Sequence, residues 1–248
     1  MLNVVAPESV GLAPTQLDRV GEHLRSRYVV PGKIPGSLAL VARRGHICYL
    51  DVAGQRDLER GTPLTEDTVF RIYSMTKPVT SVALMTLYER GLFSLDDPVH
   101  RFIPEWQELG VYKAGSFPML MSSPCQRPMT VRDLLMHTSG LTYDFLRASN
   151  VDHAYRKLQV GVPREGYTLR QMIEQLAGLP LEFVPGERWN YSLSVVVLGY
   201  LIEVVSGGSL PDYLRASLGG RRRGEDTGFE IRRGQEQRFA SCYERNPR

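Results

Sequence analysis

Apolar residues change their spacing several times along this chain, and each change marks an element. Within residues 14–28, Leu17, Val20 and Leu24 recur at helical intervals. Residues 37–53 then switch to two runs rich in β-formers, SLALVAR and HICYLDVA, with Arg44-Gly45 between them as a turn, so a hairpin is predicted. A short extended piece, TVFRIYS, leads to Ser74. The helical period returns with Val79, Val82, Met85, Leu87 and Tyr88, and Gly91 is placed to stop that helix. Pro78 falls in its first turn, where a missing N–H costs little.

Residues 92–129 carry five prolines and are predicted to be mostly irregular. Thr130 with Asp133, and later Thr168 with Gln171, have the spacing of a helix-capping box. They predict a short helix ending at His137-Thr138-Ser139-Gly140 and a second ending near Gly178. Residues 181–190 form a loop around Pro185-Gly186. Ser194 to Ser206 is a strongly apolar helix stopped by Gly207-Gly208, and Leu210 to Leu218 offers one more.

Strands first and helices afterwards imply an α+β protein with a helical region inserted after an early hairpin. The expected division is residues 1–74 as the N-terminal part of the α/β region, 75–206 as the helical region and 207–248 as a basic tail. A two-stranded hairpin is not stable alone, and few clear strands follow Ser206, so the sheet is expected to be incomplete.

Composition adds bounds. With 42% hydrophobic and 23% charged residues in 248, the chain is globular rather than disordered. The longest apolar run, Leu193 to Val205, is broken by Gly199 and Glu203, so no membrane span is expected. The N-terminal residues lack a basic then apolar leader pattern, which points to the cytoplasm. Cys48, Cys125 and Cys242 have neither disulfide-framework nor zinc spacing. The net charge is +3, yet residues 215–248 hold nine basic and five acidic residues, so the remainder is slightly acidic. Arg221-Arg222-Arg223 is better read as a solvated tail than as a nucleic-acid face.

The candidate chemistry lies at SMTK. A serine hydroxyl is a weak nucleophile unless a base stands within hydrogen-bond reach. Ser74 and Lys77 are three residues apart at the start of a helix, hence on one face and one turn apart. The positive end of the helix favours negative charge developing near the serine. Together with burial, it is expected to lower the lysine pKa toward that of a base. The spacing alone also fits a serine N-cap followed by a surface lysine. Lysine is scarce here, however, with only Lys33, Lys77, Lys113 and Lys157, and the helix dipole disfavours a cation in the first turn.

Three segments occur in order: VFRIYSMTKPVTSVALMTLYERG, TVRDLLMHTSGLTYD and FVPGERWNYSLSVVVLGYLIEVVSG. With the opening PESVGLAPTQLDRV they resemble the serine β-lactamase and DD-peptidase-like family, in its esterase-like branch related to class C enzymes. The likeness runs over about residues 7–215. It implies a β-lactamase/transpeptidase-like fold, an antiparallel sheet flanked by helices, with the late sheet strands missing. It implies Ser74 as nucleophile, Lys77 as its partner, and Tyr191 at the tyrosine of a Tyr-x-Asn motif, relaying the proton. Trp189 and Leu193, on either side of Tyr191, are candidate substrate-pocket residues. Leu193 replaces the motif's Asn, which favours small carboxylic esters over β-lactams. The expected function is a serine hydrolase working through an acyl-enzyme on a small-molecule ester, with no metal or organic cofactor. A catalytically impaired remnant of the family, or β-lactamase or D-alanyl peptidase activity, are the alternatives.

His137 belongs to a family turn rather than to a Ser–His–Asp triad, since no G-x-S-x-G elbow occurs. The family's third motif, K-T-G or H-x-G on a late strand, is absent, although EDTGFE at residues 225–230 again resembles the family, which often has a G-M-x-D-T-G-F stretch there. Removing the oxyanion donor of that strand typically costs ~10²–10³ in rate. A truncated or frame-damaged product, or a divergent paralogue, is the expectation that follows.

Overall fold

The computed structural model describes residues 2–219 and 226–244. Arg221, Arg222 and Arg223 of the basic tail, and Glu225 at the start of EDTGFE, lie outside the described residues. The sequence placed its breaks after residues 74 and 206; contacts divide the chain into one unit of Met1–Ile72 with Gly228–Arg248 and another of Tyr73–Thr227.

In the first unit, helix α1 (Pro14–Leu24) precedes an antiparallel hairpin, β1 (Gly36–Arg43) and β2 (His46–Asp57), which β3 (Thr62–Pro63) extends to the order β1-β2-β3. Arg44 and Gly45 both have positive φ, 54° and 79°, as a two-residue hairpin turn requires when its twist must match that of the strands. Gly21 lets α1 approach the sheet: its N–H donates to the Tyr49 hydroxyl at 2.9 Å, and a Cβ there would lie 2.4 Å from that oxygen. The predicted extended run TVFRIYS is only partly extended. Val69 makes a parallel bridge to Phe239, whose ring lies under the Arg71 guanidinium at 4.0 Å.

The second unit is built on helices. In chain order they are α2 (Thr76–Glu89), α3 (Val131–Leu135), α4 (Asn150–Leu158), α5 (Leu169–Ala177), α6 (Ser194–Ser206) and α7 (Leu210–Leu214). Helix α6 is apolar around most of its circumference and is accordingly central, packing against α2, α3, α5 and α7. Leu84 and Leu87 of α2, Leu134 of α3, and Val197, Leu198, Leu201 and Ile202 of α6 are fully buried in one core. Both predicted capping boxes form: the Thr130 and Thr168 hydroxyls accept from the N–H groups of Asp133 and Gln171, whose side chains reach back. A third, Ser149 with Asp152, starts α4, which the hydrophobic pattern did not reveal.

Residues 92–129 correct the sequence reading. They contain a hairpin of β4 (Gly110–Ser116) and β5 (Met119–Pro124), turning at Phe117-Pro118. Its strands are rich in Gly, Ser and Lys, weak β-formers, and its prolines sit at the turn and the strand end. Distant residues support it: Leu181 donates its N–H to Gly110 and accepts from Tyr112, each at 2.8 Å. Among the described residues, no single helix is long and apolar enough to cross a membrane.

Candidate active site

Ser74 lies in a short 3₁₀ turn, Tyr73–Met75, that runs directly into α2. Tyr73 enters this turn with φ 41°, a left-handed conformation unusual for a bulky residue. That turn sets Ser74 at the helix mouth and Lys77 one turn further on. The Lys77 Nζ donates to Ser74 Oγ at 3.1 Å. The Tyr191 hydroxyl reaches the same Oγ at 2.6 Å from 117 residues away. The structure therefore brings together Ser74, Lys77 and Tyr191.

Lys77 is also held by aromatic rings. Its Nζ lies 4.7 Å from the Tyr191 ring centroid and 5.5 Å from that of Tyr143. This corrects the expected electrostatics. Burial pulls the Lys77 pKa down, but hydrogen bonds to Tyr191 and Tyr143 outweigh it, and the net shift is upward. Lys77 is thus a cation. Tyr191 shows the complementary change. Burial raises its pKa, but hydrogen bonds to Lys77 and Ser74 outweigh that and bring it below the ordinary tyrosine value. The group moved toward ionisation at neutral pH is the phenol, not the ammonium.

Tyr143 was not singled out from the sequence, although it stands in TVRDLLMHTSGLTYD. Its ring lies 5.2 Å from that of Tyr191 and stacks on Phe145 at 4.7 Å. Trp189 stacks on Tyr191 at 6.4 Å and is 66% exposed. Leu193 behaves differently. It is 3% exposed and belongs to the hydrophobic core, where its methyl groups lie against Gly161. It does not share the open surface of Trp189, because Leu193 opens α6 and α6 turns into the core.

His137 sits in the turn after α3, with φ 57°. Its Nδ1 meets Ser192, whose N–H donates at 3.3 Å and whose Oγ lies at 3.1 Å. It is Tyr191 and Lys77, not His137, that hydrogen-bond Ser74 Oγ. Burial and the nearby Lys77 charge keep the His137 pKa below its usual value, so the ring is neutral. Among the described residues, no three His, Cys, Asp or Glu side chains converge as a metal site would require.

Residues 23–248 match the family model described as Beta-lactamase. The chain is similar to esterase EstB of Burkholderia gladioli, with 35% identity over 92% of this chain and 54% of that protein. It is also similar to lovastatin esterase of Penicillium rubens, with 30% identity over 75% of this chain and 47% of the relative. Among solved structures, EstCE1, described as a hydrolase with promiscuous acyltransferase activity, superposes with a TM-score of 0.70 at 29% identity, over 84% of this chain and 50% of its own. FmtA from Staphylococcus aureus shares the fold, with a TM-score of 0.69 at 18% identity over 97% of this chain and 56% of its own. The chain spans about half the length of the curated relatives it matches. With its serine–lysine turn, distant tyrosine and β-lactamase/transpeptidase-like fold, this chain belongs to the serine β-lactamase family.

Proposed function

We propose that the protein is a serine hydrolase that cleaves small carboxylic esters through an acyl-enzyme. The observation that carries this reading is the convergence of Tyr191 and Lys77 on one serine oxygen, at 2.6 and 3.1 Å. Ser74 is the nucleophile. Tyr191, as phenolate, takes the Ser74 proton while Oγ attacks the ester carbonyl carbon. Lys77 stays protonated and stabilises the phenolate and the nearby negative charge. The phenol then returns the proton to the departing alkoxide, leaving the acyl group on Ser74. Water attacks that ester next. Tyr191 takes the water's proton and passes it back to Ser74 Oγ as the carboxylic acid leaves.

Esters are favoured as substrates because two relatives bear the name esterase. Trp189 serves as an apolar wall for the acyl or alcohol group.

Hydrolysis of p-nitrophenyl butyrate by the chain, with Ser74→Ala as control, tests the assignment. Turnover that the substitution abolishes is expected, together with covalent labelling of Ser74 by a fluorophosphonate. Neither turnover nor labelling in the unsubstituted chain sinks the reading.

A further inference from the structure

Tyr191 owes its place to surroundings that the nucleophile chemistry does not itself explain. The residues on both sides of it are tied to His137. Asn190 donates its N–H to the His137 carbonyl at 2.9 Å, and Ser192 donates its N–H to His137 Nδ1 at 3.3 Å. Between these two anchors the His137 ring packs against the Tyr191 ring with centroids 5.2 Å apart, and Tyr143 lies against Tyr191 at the same distance. One residue thus grips the positions before and after Tyr191 by hydrogen bonds and Tyr191 itself by ring contact.

The His137 backbone is held at φ 57°. Histidine reaches that region more readily than most residues, yet it costs free energy there, and such outliers cluster at functional sites. Beneath the ring runs a buried chain of hydroxyls. Ser192 Oγ lies 2.7 Å from Ser194 Oγ, which lies 2.7 Å from Ser139 Oγ, which accepts the Leu141 N–H at 3.2 Å. Ser139, Ser192 and Ser194 are completely buried. This network and His137 together fix Ser192.

From these contacts we infer that His137 is a positioning residue, acting through neutral Nδ1 and the ring face to hold the Tyr191 hydroxyl on Ser74 Oγ. A backbone N–H can only donate, so Nδ1 must carry the lone pair, and the ring proton sits on Nε2. The inference rests on the proposed role of Tyr191, and its test separates the two.

The whole chain, labelled with tyrosine at 13Cζ and histidine at 15N, is titrated by NMR. The Tyr191 signal is assigned by its loss in Tyr191→Phe. His137→Phe keeps a ring and deletes the acceptor; His137→Asn keeps an acceptor near Nδ1 and tolerates the left-handed backbone. Tyr191 is expected to ionise below 10.0 in the unsubstituted chain, to move up toward that value in His137→Phe, and to move back down in His137→Asn. Fluorophosphonate labelling of Ser74 should slow ~10²-fold in His137→Phe, the scale of a misplaced catalytic group. An unchanged Tyr191 titration in His137→Phe overturns the inference. So does a proton on His137 Nδ1, read from its 15N shift without any variant, which keeps the test decisive where His137→Phe does not fold. Absence of labelling in the unsubstituted chain counts against the proposed hydrolase alone, because the Tyr191 titration and the His137 tautomer do not depend on it.

Discussion

Among the described residues of the second unit Asp133 is the most heavily bonded carboxylate, and Asp133→Ala puts a number on what it holds. Its Oδ2 accepts from Arg127 Nη1 at 2.9 Å, from the Thr130 N–H at 2.9 Å and from the Thr130 hydroxyl at 2.8 Å. Its Oδ1 accepts from Arg127 Nη2 at 2.8 Å and from the Thr138 hydroxyl at 3.1 Å. The bonds to Thr130 close the capping box of α3, whose loss costs ~1 kcal/mol. Breaking a fully buried ion pair costs ~3–5 kcal/mol. The side chain of Asp133 is 6% exposed, but that of Arg127 is 40% exposed and regains water, so about 2 kcal/mol is the appropriate share. The expected destabilisation is then about 3 kcal/mol, and in a chain of this size it lowers Tm by roughly 6–12 °C. Calorimetry or a circular-dichroism melt measures it, and a double-mutant cycle with Arg127→Met isolates the ion pair.

The pH dependence of that difference has a definite sign. Burial raises the Asp133 pKa, but the hydrogen bonds from Arg127 and Thr130 outweigh it and hold the group below its ordinary 3.8. The stabilisation is therefore present above about 3.8 and is lost as the pH falls through the lower, folded-state value. The gap in Tm between the two proteins should narrow as the pH drops below that point. A Tm change under about 2 °C at pH 7, or a vanishing coupling between Arg127 and Asp133, would refute the reasoning.

Two further outcomes follow from the site and its supporting turn. Under the proposed hydrolase reading, activity should rise with pH as Tyr191 ionises below 10.0 and persist until Lys77 loses its proton above 10.5. Lys77→Met should shift the rising limb upward and slow turnover ~10²–10⁴-fold; a limb that stays in place shows that the ammonium does not set the tyrosine's ionisation. Gly140 has φ 84°, and a Cβ there would lie 2.4 Å from the Phe183 carbonyl oxygen, whereas Gly166 has φ 72° and open space around it. Urea denaturation should find Gly140→Ala costing about 2–3 kcal/mol and Gly166→Ala only about 1 kcal/mol, from backbone conformation alone; equal costs count against a steric role for Gly140.

Local chemistry settled much of this protein in the sequence itself. Alternating β-formers around Arg44-Gly45 specify the early hairpin, because a turn with two positive φ angles admits few residue pairs. The boxes at Thr130 and Thr168 mark helix starts, since a side chain three residues from an orphan N–H is a purely local device. The apolar period of residues 194–206 fixes both a helix and its burial. Ser74 and Lys77 were legible for the same reason: one helical turn joins them.

What depends on partners distant in sequence was decided only by tertiary structure. The strands of β4 and β5 have poor intrinsic propensity and gain support from backbone pairing with Leu181. Leu193 was read as a pocket residue from its place beside Tyr191, but the start of α6 turns its side chain into the core. The placement of Tyr143 against Lys77, and the upward shift of the lysine pKa with the downward shift of the tyrosine's, arise from rings 66 and 114 residues further along the chain. Sequence spacing places Ser74 and Lys77 on one helical turn. Which of the neighbouring groups holds the proton is set by burial and by the sum of charges around it, and these exist only once the chain is folded.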